Sequence, residues 1–394
     1  MRPQAIQPVD TTTKSIPFGF PIIGEEELSA VANVLKGPTL VHGPRAAAFE
    51  SRFARWTQAP FAVSLASCTA GLHLAWFDLG IGPGDEVILP AQTHTATAHA
   101  VALTGAQPVF VDCELETGNI AIDLIEEAIT PRTKGICVVH FLGIPVAMDK
   151  VCAIAAKHEL FVLEDCALAV GTRYKSIHAG LWGDAGCFSF YPVKHITTAE
   201  GGMLITRHAA LADRIKNKRA FGVDRCVSER SIPGVYDVTA LGFNYRMNEI
   251  EAALGIEQMK RLDGFLMRRR QNYGILSRQL AQIEELRVLE SSDAQAISSH
   301  YCLCVMLDGK LAPKRSEIID RLKNQGIGTS IYYPQPVPHF TWYREKYRYT
   351  LDSFPNAAAI SHCSLALPVG PHLVEEDMDS ITAALKKAIF EVRS

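Results

Sequence analysis

An α/β fold built on a mostly parallel sheet, followed by a smaller C-terminal α+β unit, is the fold class this sequence predicts. Three observations predict it. Between about Phe61 and Thr206, short apolar runs alternate with helix-like windows, the pattern of parallel strands joined by crossover helices. The runs, such as QPVFV and GICVV, are apolar without alternation, as in strands covered on both faces. At 394 residues the chain exceeds one small core, so two domains are expected.

The elements follow in order. GEEELSAVANVLK and RAAAFESRFARW read as two amphipathic helices, with Gly37-Pro38 and Gly43-Pro44 punctuating the link. FAVSL is the first strand and TAGLHLAWFDL its helix. The unit repeats as DEVILP with TATAHAVALTG, QPVFVD with IAIDLIEEAI, and TKGICVVHF with AMDKVCAIAAKH. ELFVLED, GCFSFY and GMLIT complete the strands. MNEIEAALGIEQMKRLDGFLMRRRQNYGILSRQLAQI carries a long helical pattern that leads into a C-terminal unit beginning near Ser298. That unit has a strand in YCLCVMLD, a helix in RSEIIDRLKNQG and a last helix in EEDMDSITAALKKAIFEV. The expected division is an N-terminal arm over 1–20, a large domain over 21–255, and a connector helix with a small C-terminal domain over 256–394.

Composition narrows the function. A formal net charge of -3 with 21% charged residues gives no electrostatic bias toward nucleic acid or anionic membrane. The first residues contain no continuous apolar run of the secretory type and no later run has the length of a membrane span, so the cytoplasm is the expected location. The ten cysteines, Cys226 included, lack CxxC spacing and read as free thiols, with Cys302 and Cys304 on one side of a core strand.

In such sheets ligands sit beyond the carboxyl ends of the strands, so the residues just after each run matter most. Ser67, Cys68 and Thr69 in SLASCTAGLHLAW open a helix after a strand; free amides and the helix dipole there suit a phosphate, although capping alone would also explain them. Asp165 ends ELFVLED, where a carboxylate can pair with a protonated heterocyclic nitrogen; its neighbour Glu164 points the other way and is assigned to structure. Lys194 follows CFSFY, and a lysine in a water-poor site can lose its proton and attack a carbonyl. Phosphate cradle, pyridinium partner and Schiff-base amine are together the parts that hold pyridoxal 5′-phosphate.

The segments IPFGFPIIGEEELSAV, SCTAGLHLA, GPGDEVILPAQTHTATAHAV, LEDCALAVG, GDAGCFSFYPVKHITTAEGGMLIT and LGFNYRMNEIEAALGIEQMKRLD resemble the DegT/DnrJ/EryC1/StrS family of pyridoxal-phosphate sugar aminotransferases. The resemblance implies the type I aspartate aminotransferase fold, with a mostly parallel sheet of the seven-stranded type. It implies that Lys194 carries the cofactor and moves the proton, that Asp165 pairs with the pyridine nitrogen, and that Cys68, Thr69 and Ser189 hold the phosphate. Asn244 of LGFNYR would reach the phosphate of the partner subunit, which makes the expected assembly a homodimer with shared sites. Lysine at 194, where related sugar dehydratases carry histidine, favours transamination; His195 beside it is a candidate hydrogen-bond partner near the cofactor.

Three positions depart from the family pattern. His94 stands where an aromatic ring usually stacks on the pyridine, Leu168 where a glutamine usually approaches the 3′-oxygen, and Cys68 where a glycine or alanine is common. Family membership implies L-glutamate as amino donor and a keto sugar, usually nucleotide-linked, as acceptor. The TTAEGG ending resembles members that aminate C4 of a 4-keto-6-deoxy sugar, with C3 amination or dehydration as alternatives. Arg219 is a candidate for the diphosphate and His339 for the sugar, Tyr332 replacing the more usual histidine nearby, whereas Arg268, Arg269 and Arg270 read as a solvated face.

Overall fold

The computed structural model describes residues 15–224, 232 and 234–393 of the chain. Cys226 lies outside the described residues; the nine other cysteines are free thiols. Helices α1 (Glu25–Leu35) and α2 (Pro44–Thr57) lead into β1 (Phe61–Leu65) and α3 (Cys68–Asp78). The alternation continues through β2 (Glu86–Pro90), α4 (Thr95–Ala102), β3 (Gln107–Val111), β4 (Thr133–Val139), α5 (Met148–Lys157) and β5 (Phe161–Asp165). A short hairpin of β6 (Arg173–Tyr174) and β7 (Ile177–His178) precedes β8 (Ala185–Ser189), β9 (Gly202–Thr206) and α6 (Ala209–Lys218).

Seven of these strands form one sheet in the order β1-β9-β8-β5-β4-β2-β3. Only β9 runs against the others, pairing antiparallel with β1 and β8. The carboxyl ends of β1, β5 and β8 therefore open on one edge, beside the start of β9. Strands β2 and β9 are buried at every residue, as their unbroken apolar runs require. Helix α3 is likewise buried nearly all round, and a Cβ on its Gly71 would come within 3.0 Å of Cys187 Sγ on β8. Among the described residues no helix is long and apolar enough to cross a membrane.

The segment IAIDLIEEAI is not the expected α-helix but two short 3₁₀ turns, Ile122–Leu124 and Glu126–Ala128. The cause is local. Ile120 bridges Cys113 at one end, and Pro131 holds Thr130 out of the helical region at the other, leaving too few residues for a cooperative helix rich in β-branched side chains.

Helix α7 (Glu249–Leu280) is continuous, opened by a capping box between Asn248 and Glu251, so the expected boundary at 255/256 falls inside it. The C-terminal unit begins at β10 (Leu286–Val288), earlier than Ser298, because LRV is too short and too polar to stand out. It continues with β11 (Ala296–Ile297), which joins the β6-β7 hairpin, then β12 (Leu303–Leu307), α8 (Arg315–Asn324), α9 (Thr341–Tyr347), α10 (Pro355–Cys363), β13 (Ser364–Leu367) and α11 (Glu375–Arg393). β10, β12 and β13 make an antiparallel sheet whose inner face packs Val305 and Leu365 with Ile381 and Leu385. Ile16 from the N-terminal arm enters this same core and exchanges backbone hydrogen bonds with Gly326 and Gly328.

His178 on β7 is a buried ring whose Nδ1–H donates to the carbonyl of Ala179 at 2.7 Å while Nε2 accepts from Gly171 N at 3.0 Å. Burial holds its pKa at about 4, against an ordinary value of 6.5. Between these values the unfolded chain takes up a proton that the fold refuses, so the ring costs stability as pH falls through that window. The expected melting temperature drops from pH 7 to pH 5. In His178→Gln, the drop is smaller by the equivalent of about 2 kcal/mol; an equal drop in the variant would remove His178 from the account.

Candidate active site

The site is built where β1 and β8 end and β9 begins. Ser67 caps α3, its Oγ accepting from Ala70 N at 3.0 Å, and leaves the first-turn amides of Cys68 and Thr69 without helical acceptors. In the strand register Gly202 pairs with both Leu65 and Ser189, which brings the start of α3 next to Ser189. A side chain at Gly202 is impossible, since its Cβ would lie 2.3 Å from the carbonyl carbon of Ser67 and 2.4 Å from Cys68 N. The preceding Gly201 has φ +155, and a Cβ there would meet Thr198 Oγ1 at 2.2 Å. The Gly-Gly pair thus lets the loop after β8 close tightly over the anion-binding amides.

That loop carries Lys194. Phe190 N donates to Gly201 O at 3.0 Å, Thr198 N to Phe190 O at 2.9 Å, and buried Thr197 Oγ1 to Phe190 O at 3.0 Å. The two threonines therefore shape the loop. Lys194 is half-buried, and among the described residues no carboxylate lies within ion-pair distance of its Nζ. Burial lowers its pKa below the usual lysine range, against the opposing pull of the Asp165 carboxylate.

Asp165, 5% exposed at the end of β5, is rigidly held. Thr97 Oγ1 donates to Oδ2 at 2.7 Å, and Ala167 N to Oδ1 at 3.0 Å. These bonds leave part of the carboxylate's accepting capacity open. The Cys68 thiol points inward, 3.4 Å from Cys187 O and 3.9 Å from Asp165 Oδ1, and burial with the Asp165 charge pushes its pKa far up. Only the backbone amide of Cys68 is offered to an anion.

The other sequence candidates separate. His94 is exposed and caps α4, its Nδ1 accepting from Ala96 N at 3.1 Å, with its ring 5.5 Å from Tyr333. His195 is turned away beneath the loop, 2% exposed, with neither ring nitrogen hydrogen-bonded; burial first, then the Arg269 and Lys194 charges, hold it neutral. Asn244 is exposed, in a bridge with Ala220 beside exposed Phe221 and Leu241. Arg219 is committed to Glu50 at 2.6 Å and to Ser64 O at 2.5 Å, near the carboxyl end of β1. His339 is buried, with Nε2–H donating to Ser353 O at 2.8 Å. Leu168 is buried and offers only an apolar side chain. Tyr332 places its hydroxyl 2.9 Å from that of Tyr301.

Glu164 braces the strand as expected: it accepts from Gly180, Trp182 and Gly183 amides and lies 2.9 Å from His140 Nε2. Sequence reasoning missed Thr97, Tyr333 and Arg269. The first two are joined to the site only by tertiary folding. Arg269 was legible: Leu262, Phe265, Arg269, Asn272 and Leu276 are all buried and recur at spacings of three and four along α7, so the solvated-face reading fails for Arg269.

The donor set fits pyridoxal phosphate: amides and Ser189 for the phosphate, a fixed carboxylate for the ring nitrogen, and a lysine without a carboxylate partner among the described residues. The model of the DegT/DnrJ/EryC1/StrS aminotransferase family matches residues 21–386. The spore coat polysaccharide biosynthesis protein SpsC of Bacillus subtilis is 39% identical over 378 residues, covering 95% of this chain and 97% of SpsC. Helicobacter pylori PseC, an aminotransferase involved in pseudoaminic acid biosynthesis, superposes with TM-score 0.88 at 26% identity, over 95% of this chain and 99% of PseC. S. venezuelae DesV, solved with a ketimine intermediate, gives TM-score 0.84 at 31% identity, over 92% and 94%.

Proposed function

We propose, from the premise that this chain belongs to the DegT/DnrJ/EryC1/StrS aminotransferase family, that its amino donor is L-glutamate and its acceptor a nucleotide-linked 4-keto-6-deoxy sugar. The chain is a pyridoxal-phosphate-dependent sugar aminotransferase. The observation that carries transamination over dehydration is the lysine itself: Lys194, rather than a histidine, stands on the loop between β8 and β9, at the same sheet edge as a rigid Asp165, and the TTAEGG that follows it supports C4. SpsC acts in polysaccharide biosynthesis by its name, and a role in making amino sugars for polysaccharides or glycosylated metabolites is our reading for this chain.

When bound, the cofactor supplies an aldehyde carbon able to take up an amino group and a ring that withdraws electrons from the neighbouring carbon. The protein's residues do the rest. Amides of Cys68 and Thr69, with Ser189, would hold the phosphate; Asp165, fixed by Thr97, would keep the ring nitrogen protonated; His94 and Tyr333 would flank the ring. The lowered pKa of Lys194 lets its amine accept a proton from the donor's carbon and return it to the acceptor's carbon. Asn244, outward-facing beside exposed Phe221, Val238 and Leu241, would complete the phosphate site of a second copy in a homodimer. Arg219 and His339 are turned to other partners and His195 is buried beneath the loop, so none of the three is assigned to substrate in this reading.

The test is a panel of nucleotide-linked keto sugars incubated with and without L-glutamate and read by mass. The expected product has its ketone oxygen replaced by an amine, with 2-oxoglutarate formed in equal amount, and appears only with glutamate. Consumption of the sugar without glutamate would replace this reading by dehydration.

A further inference from the structure

Arg269 is 5% exposed on the inner face of α7, whereas its neighbour Arg270 is exposed. Among the described residues no carboxylate pairs with it. Its Nη1 donates to the carbonyl of Tyr301 at 2.8 Å, and Nη2 lies 3.5 Å from the carbonyl of Lys194. Its Cζ stands 5.8 Å from the centroid of the Tyr301 ring, and Lys194 Nζ stands 5.4 Å from the same centroid. A buried guanidinium without an acid costs stability, and among the described residues Nε here has no hydrogen-bond partner. The two carbonyls belong to different parts of the fold: Lys194 to the loop after β8, Tyr301 to the segment entering β12. One side chain from the connecting helix therefore spaces the lysine's main chain from the ring that its ammonium faces.

We propose that Arg269 is a positioning residue for Lys194, locking Tyr301 and the lysine's main chain together so that Nζ works from a fixed root. The inference rests on the reading of Lys194 as the cofactor-bearing lysine. The groups facing that amine are Asp165 from β5, Cys68 from α3, His94 at the start of α4, and Tyr301 and Cys302 ahead of β12, while His195, next in the chain, is turned beneath the loop. Removing Arg269 frees the two carbonyls it holds and loosens the packing that excludes water from the amine. Easier access of water favours the charged lysine.

The test uses cofactor-free full-length protein, labelled with acetic anhydride across a pH series and read on the Lys194 peptide by mass. Wild-type Lys194 is expected to titrate below the exposed lysines. In Arg269→Met its profile moves up toward theirs, and in the loaded enzyme kcat falls by about 10²-fold with the KM for glutamate within about twofold. Arg269→Lys keeps the charge but loses the two-pronged fork, and recovers part of both changes; it also serves if the methionine variant does not fold. Arg268→Gln, on the same turn, leaves the profile unchanged. Variants with a lowered melting temperature but wild-type labelling profiles and kcat would overturn the proposal. Failure of the parent reading shows separately, as absence of borohydride-fixed cofactor on wild-type Lys194.

Discussion

Lys194→Ala is expected to lower the glutamate-dependent amination of a keto sugar by at least about 10⁴-fold, the upper range for a positioned proton-transfer group, with the covalent anchor lost as well. The fold should be unaffected. The loop that carries Lys194 is held by Phe190, Thr197, Thr198 and Gly201, not by the lysine's side chain. Removing a partly desolvated ammonium with no carboxylate partner among the described residues relieves a cost, so the melting temperature of the variant should equal or exceed that of the wild type. Measured turnover together with melting temperature separates chemistry from folding: inactivity with an unchanged or higher melting temperature is the expected pair. Activity within tenfold of wild type would remove Lys194 from the centre of the account.

Asp165→Asn is the second large effect. Asparagine keeps the shape and can still accept from Ala167 N through Oδ1, with the Thr97 hydroxyl turned to accept from Nδ2, but it carries no charge to hold a ring nitrogen protonated. A fall in kcat of about 10³-fold, roughly 4 kcal/mol, is expected, since this is a single preorganised electrostatic contact at the reacting group. The cofactor should still bind, because the phosphate contacts at Cys68, Thr69 and Ser189 are untouched. Equilibrium dialysis of the cofactor beside steady-state rates checks both. A variant that lost binding but kept its rate at saturating cofactor would make Asp165 an anchor and not an electronic partner.

Much of this was readable before the structure because the local signals are strong and agree. The buried strands of the main sheet are unbroken apolar runs, the capping residue Ser67 sits where a strand hands over to a helix, and Asp165 ends a strand at the ligand edge. What stayed hidden depends on long-range contacts. Thr97 lies 68 positions from Asp165, and nothing in TATAHAVALTG says that its hydroxyl turns toward β5. Arg219 reads as a free cation until Glu50, 169 positions away, is brought against it. His195 reads as a hydrogen-bond partner near the cofactor, but packing buries it beneath the loop, which its place in the sequence does not reveal. IAIDLIEEAI fails as a helix through its flanks rather than its own composition.

The most direct test of the central claim is borohydride reduction of the loaded protein followed by digestion and peptide mass. The account predicts that reduction fixes the cofactor on the Lys194 peptide, and that L-glutamate added beforehand abolishes the adduct because the amino group passes to the cofactor and releases the lysine. A cofactor-loaded protein that gave no adduct at Lys194, or one on another lysine, would contradict it.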